Sequence, residues 1–237
     1  VSSSFERLSV VTRVAFVSLA AVLVGSFGGA LAGAAADGLP AAYAYGVEAA
    51  VASLAIGAVA VVTARAAGVG FEFFSVRRPS ARTLGWGVLA GVAMLALLWV
   101  FGAVTSALDV PSASHGVVSR IEANSTIALV MVVVSIVAVA PGEELLARGF
   151  VQGSLYRVYP DWMAVVVASA VFAAVHVFAY WTAPVAAVVA SLLQLFVISL
   201  VLGWVYVRTR NLVAAVVAHA VYDAVQFAFA YLTYGPV

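Results

Sequence analysis

Seven apolar runs, each long enough to cross a hydrocarbon core, follow one another along the chain, and this succession limits the fold more than any other feature. Inside a bilayer every backbone N–H and C=O must find its partner within the protein, so a run of about 20 apolar residues without strand alternation is a helix. The runs are read at about Val14 to Ala36, Tyr45 to Ala64, Leu84 to Leu108, Thr126 to Ala140, from the Tyr159-Pro160-Asp161 turn to about Trp181, Ala183 to Val207, and Asn211 to Tyr231. The fourth does not stop at Pro141 and Gly142. Leu145, Leu146, Phe150, Val151 and Leu155 repeat at helical spacing and carry the helix towards Arg157. The sequence therefore predicts an all-α, polytopic membrane helix bundle of about seven transmembrane helices, occupying residues 1–237 as one membrane domain.

Charge supports this and excludes other classes. Only 9% of residues are charged, against roughly a quarter in soluble domains. A net charge of +1 with no basic run excludes a nucleic-acid partner, and the absence of cysteine excludes disulfides, thiolate metal sites and a cysteine nucleophile. All eleven basic residues are arginine. With the N-terminus cytoplasmic and the C-terminus outside, ten of the eleven fall on the cytoplasmic side and only Arg120 outside. The first run could instead be a signal peptide ending near Ala34-Ala35-Ala36, but it exceeds the usual apolar length of about 7 to 15 residues. Its Gly25, Gly29 and Gly33 form a small-residue face suited to close packing, within the bundle or between chains. Glu48 is read as structural, the Arg65 to Arg82 segment as lying on the membrane surface, and the Asp109 to Ser125 connection as a loop in which His115 is exposed.

Against this apolar background the stretch Pro141-Gly142-Glu143-Glu144-Leu145-Leu146-Ala147-Arg148-Gly149 is anomalous. A charged side chain at membrane depth costs at least ~2.5 to 3.5 kcal/mol, so such a pair of carboxylates marks a functional site. Glu144 with Arg148, Phe172 with His176, and His219 with Asp223 are each four residues apart, on one helical face. Glu144 and Arg148 can neutralise each other, which leaves Glu143 unexplained. Glu143 and His176 stand at similar distances from the turn at Tyr159 and Pro160 and so at similar depth, where His219 and Asp223 can join them. This set supports hydrolysis: Glu143 as general base for a water that His176 shares or orients, and His219 as donor to the developing oxyanion.

At these residues the chain resembles the CAAX protease and bacteriocin-processing family of intramembrane proteases, also called the Abi or type II CAAX prenyl endopeptidase family. The E-E-x-x-x-R motif is Glu143-Glu144-x-x-x-Arg148, the F-x-x-x-H motif is Phe172-x-x-x-His176, and the final H-x-x-x-N motif is His219-x-x-x-Asp223. Leu202 to Leu212 also looks like the family's approach to the last motif. The resemblance covers about Thr126 to Phe229, with residues 1–125 as a variable scaffold and 126–231 as the motif-bearing spans. It implies that Glu143 and His176 activate water, that Glu144 and Arg148 support the site, and that His219 and the residue at 223 stabilise the oxyanion. It also implies a cavity opening to the cytoplasm. Asp223 departs from the family's usual asparagine. Either it is protonated and donates, or, as preferred here, it accepts from His219 and fixes that ring as a donor.

The reading is thus an intramembrane endopeptidase acting on a membrane-associated or prenylated peptide, with the lipid bilayer as its other partner. Catalysis needs no metal on this view. Zinc is the alternative, because Glu143, His176, His219 and Asp223 are acceptable ligands. A non-proteolytic immunity or regulatory protein of the same fold is the rival function. A proton-coupled transporter gains little, because the first half lacks a matching polar set.

Overall fold

The computed structural model describes residues 3–111, 113, 115–180 and 183–235. Among them are seven helices long and apolar enough to span a membrane, and no strand. They are α1 (Ser4–Ala35), α2 (Ala41–Ala66), α3 (Ala81–Ala107), α5 (Thr126–Leu155), α6 (Asp161–Val175, prolonged by a 3₁₀ turn His176–Tyr180), α7 (Val185–Thr209) and α8 (Leu212–Tyr234). A short α4 (Gly116–Ala123) precedes α5. The expected spans agree in number and order. Trp181, where the sequence ends the fifth span, lies outside the described residues. Helix α1 begins ten residues before its apolar run, because Ser3 Oγ accepts from Glu6 N–H at 3.1 Å and caps the polar first turns.

The small-residue face of α1 packs within the bundle. A Cβ on Gly25 would stand 2.7 Å from Ala52 O, and one on Gly29 2.8 Å from Glu48 O, so α1 and α2 approach to backbone contact. Gly142 brings α5 still closer to α2: its Cβ would lie 2.0 Å from Ser53 O. No side-chain rotamer can relieve a clash with a backbone carbonyl. Gly142→Ala should therefore destabilise the protein by ~1–3 kcal/mol or more, measured by thermal unfolding in detergent. Gly38→Ala, with nothing within 4 Å of its Cβ, should leave the midpoint unchanged.

The two longer connections are both partly helical. Residues 71–74 form a 3₁₀ turn in which Phe71 and Glu72 are exposed, while Phe74 is 1% exposed and presses on Gly149. The segment is pinned further along: Arg77 N–H donates to Asn211 Oδ1, Asn211 Nδ2 donates to Arg77 O, and Leu212 N–H donates to Ser75 O. Between Asp109 and Ser125 the chain forms α4, which buries Val117 and Ile121 on one face against α2, α5 and α8. Eight residues are too few for a period to register in the sequence, yet enough for two anchors.

Candidate active site

Helix α5 owes its course through the site to Pro141. A proline ring clashes with the carbonyl four residues back and leaves no N–H to pair with it. The helix widens just before it: Ser135–Val139 take π geometry, and Ala140 N–H reaches back five residues to Ser135 O. A second π stretch, Leu145–Gln152, follows the acidic pair. Such bulges turn side chains off the regular helical face. Here Glu143 points into a cavity while Glu144 points into packed protein.

The two glutamates have different partners. Glu144 and Arg148 are both fully buried, and Arg148 Nε lies 3.2 Å from Glu144 Oε2. Arg148 Nη2 also donates to Ser199 O and Oγ at 3.1 and 2.9 Å, and its guanidinium carbon sits 5.0 Å from the Phe172 ring centroid. The expected intrahelical pair is present. The other Glu144 oxygen, Oε1, lies 2.9 Å from His219 Nδ1. An ionised carboxylate only accepts, so this contact fixes Nδ1–H as the donor and directs Nε2 towards Asp223 Oδ2, 3.5 Å away.

Glu143 faces His176, with Oε2 3.9 Å from Nε2 and the side chains 20% and 21% exposed. The separation exceeds a hydrogen bond and suits one water held against both. The tautomer of His176 follows from its helix. Its backbone N–H bonds to Ala173 O as α6 tightens into the 3₁₀ turn, which frees Phe172 O, and His176 Nδ1–H donates to that oxygen at 2.7 Å. Nε2 then presents a lone pair to the cavity. Phe172 separates the two histidines, at 4.4 Å from the His176 ring centroid and 6.4 Å from that of His219. The structure thus brings together all seven residues singled out in the sequence.

Other participants left no motif. Ser199 on α7 holds Arg148 from 51 positions away. Gln226 Nε2 donates to the Tyr222 backbone carbonyl at 3.4 Å, and Gln194, Tyr222 and Gln226 line the cavity beside Asp223. His115 is exposed in the α3–α4 connection, as expected, and it also lines the cavity, with its ring edge-on to Tyr180 at 5.6 Å between centroids. Desolvation on its cavity side pushes its pKa below the ordinary histidine value; His176 adds to the effect and Glu143 opposes it. Nothing near His115 in sequence signals this, because its neighbours in space come from α5 and α6.

The cavity has a volume of ≈ 690 Å³. Its lining includes Glu143, His176, His219 and Asp223 and extends to Tyr45, Glu48, His115, Tyr180, Phe227 and Ala230. These belong to the start of α2, the α3–α4 connection and the ends of α6 and α8, at the bundle end opposite the start of α1. The sequence expectation placed the N-terminus and the cavity opening on the same, cytoplasmic side. The start of α1 lies at the end of the bundle away from these lining residues. Arg148 also leaves the arginine count, being buried in the core.

No group of three or more His, Asp or Glu side chains among the described residues is placed to hold one metal ion. Glu144 is turned away to Arg148 and His219, and the remaining donors are arranged in pairs.

Residues 125–225 match a family model described as Type II CAAX prenyl endopeptidase Rce1-like. The match falls on the same half of the chain as the three motifs. No curated protein and no solved structure matches the chain.

Proposed function

We propose that this chain, whose residues 125–225 belong to the type II CAAX prenyl endopeptidase family, is an intramembrane endopeptidase that hydrolyses a peptide bond with a water activated by Glu143 and His176. The observation that carries the reading is the facing of Glu143 Oε2 and His176 Nε2 across 3.9 Å in an open cavity. Glu143 takes the water's proton, and the lone pair of His176 Nε2 orients the attacking oxygen. The water oxygen bonds to the scissile carbonyl carbon, and the carbonyl oxygen becomes the oxyanion. His219 donates to that oxyanion from Nε2, with its Nδ1–H held by Glu144. The proton on Glu143 then passes to the leaving amine as the C–N bond breaks.

Glu144 and Arg148 position His219 and do not touch the substrate. Asp223, 3.5 Å from His219 Nε2, keeps that nitrogen protonated until the developing oxyanion takes over its hydrogen bond. Asp223→Asn should therefore lower hydrolysis about tenfold or more, the worth of one charge-assisted hydrogen bond. Raised activity would show that the native aspartate opposes the oxyanion. The mechanism uses no metal, and strong chelators should leave the rate unchanged.

The test of the function is comparative proteomics of membrane fractions from cells carrying the native protein or Glu143→Gln. Uncleaved peptides accumulating in the variant support the endopeptidase. Identical peptide sets for native protein, Glu143→Gln and His176→Ala would reject it in favour of a non-proteolytic regulatory or immunity protein of the same fold.

A further inference from the structure

Where α3 begins and α7 ends, the surface carries cations without counter-charges. Arg82 stands in the first turn of α3 and Arg208 in the last turn of α7, and these two helices pack side by side in opposite directions. Trp86 of α3 and Trp204 of α7 meet edge-on with ring centroids 5.5 Å apart, and the Arg208 guanidinium carbon lies 5.2 Å from the Trp86 ring centroid. Arg82 precedes Trp86 by four residues and Arg208 follows Trp204 by four. Each arginine therefore sits on the face of its tryptophan and about one turn, ~6 Å, further out. The two reach the same level on neighbouring helices.

Arg78 joins them from the connection before α3. Arg77 is tied to Asn211 and Ser80 caps α3, so Arg78 is held between the end of α7 and the start of α3. All three arginines are exposed, and among the described residues no carboxylate lies within 4.0 Å of them. The nearby acids are engaged elsewhere: Asp161 pairs with Arg210, and the Glu72 carboxylate folds back over Gly70. Inward of the arginines the surface is apolar, with Trp204 and Leu89 exposed. Tryptophan at this depth marks the headgroup level of a bilayer.

We propose that Arg82 and Arg208, with Arg78, bind the phosphate of an anionic phospholipid whose acyl chains lie along Trp86, Trp204 and Leu89 between α3 and α7. Grouped like charges repel, and an anionic headgroup at the interface neutralises them. The planar guanidinium suits a phosphate because it can donate to two oxygens at once. A free anion has no chains to cover the apolar strip, which is why the occupant is a lipid. It clamps α3 to α7, the helix whose Ser199 holds Arg148. None of these residues lines the cavity, so the site stands apart from the endopeptidase reading.

The test titrates the purified protein in a neutral detergent with dioctanoyl phosphatidylglycerol, dioctanoyl phosphatidylcholine or inorganic phosphate, and reads binding by microscale thermophoresis. Phosphatidylglycerol should bind about tenfold or more tightly than phosphatidylcholine, and Arg82→Gln with Arg208→Gln should weaken it about tenfold or more, the worth of two arginines at a headgroup. Arg13→Gln, exposed on α1, which packs on α2, α5 and α6, should leave the affinity unchanged. Equal affinity for the two lipids, native affinity in the double variant, or an equal loss in Arg13→Gln overturns the proposal. Displacement of the lipid by inorganic phosphate at equal concentration would make this a soluble-anion site and overturn the lipid assignment. Arg78→Gln with Arg82→Gln, both exposed, carries the same test if the first double variant fails to fold.

Discussion

Hydrolysis by the Glu143→Gln variant is expected to fall by ~10²- to 10⁴-fold, the usual contribution of a positioned general base, while thermal stability in detergent stays within ~0.5 kcal/mol of the native protein. The separation of the two readouts is what identifies the role. Glu143 projects into the cavity with a fifth of its side chain exposed, and its described ionic partner, His176, stands 3.9 Å away. Glutamine keeps the shape and loses the basicity. His176→Ala should lower the rate as well, since the lone pair at Nε2 that orients the water is lost, and a double variant should lose little more than either single one, because both act on the same water. The measurement is single-turnover cleavage of a peptide identified by the membrane proteomics. A Glu143→Gln protein that retains native turnover would remove Glu143 from the mechanism.

Arg148→Met is expected to destabilise the protein by ~3–5 kcal/mol, the cost of leaving a buried carboxylate without its counter-charge. Glu144 and Arg148 are both fully buried, so neither can recover hydration when the other is removed. The methionine side chain would fill much of the space but leave Glu144 Oε2 facing apolar packing and release Ser199 Oγ from its donor. Thermal unfolding and the fraction of monodisperse protein after extraction measure the loss. The paired replacement Glu144→Leu with Arg148→Met should recover most of the stability, because an apolar pair can replace a buried ion pair without penalty. It should not recover activity: His219 Nδ1 then has no acceptor at 2.9 Å to hold the ring. Recovery of both together would mean that the pair only fills the core.

The hydropathy of the runs determined the bundle, because the length of an apolar run and its helical period are local properties that a bilayer turns directly into spans. The three motif pairs were legible for the same reason: a separation of four fixes a common helical face whatever the helix packs against. The depth match of Glu143 and His176 needed only a turn and a rise per residue. Local rules stop there. That Glu144 reaches His219, 75 positions on, depends on how α5 and α8 cross and on the π geometry that follows Pro141. The burial of Phe74 and the place of His115 at the cavity mouth depend on helices distant in sequence, and each residue alone resembles a connection residue. The arginines mark one end of the bundle in sequence, but which end the cavity opens to is a matter of where the helices part and where they close. The cavity is lined from α1, α2, α5, α6, α7 and α8 at once, so its course is set by how helices far apart in sequence pack together.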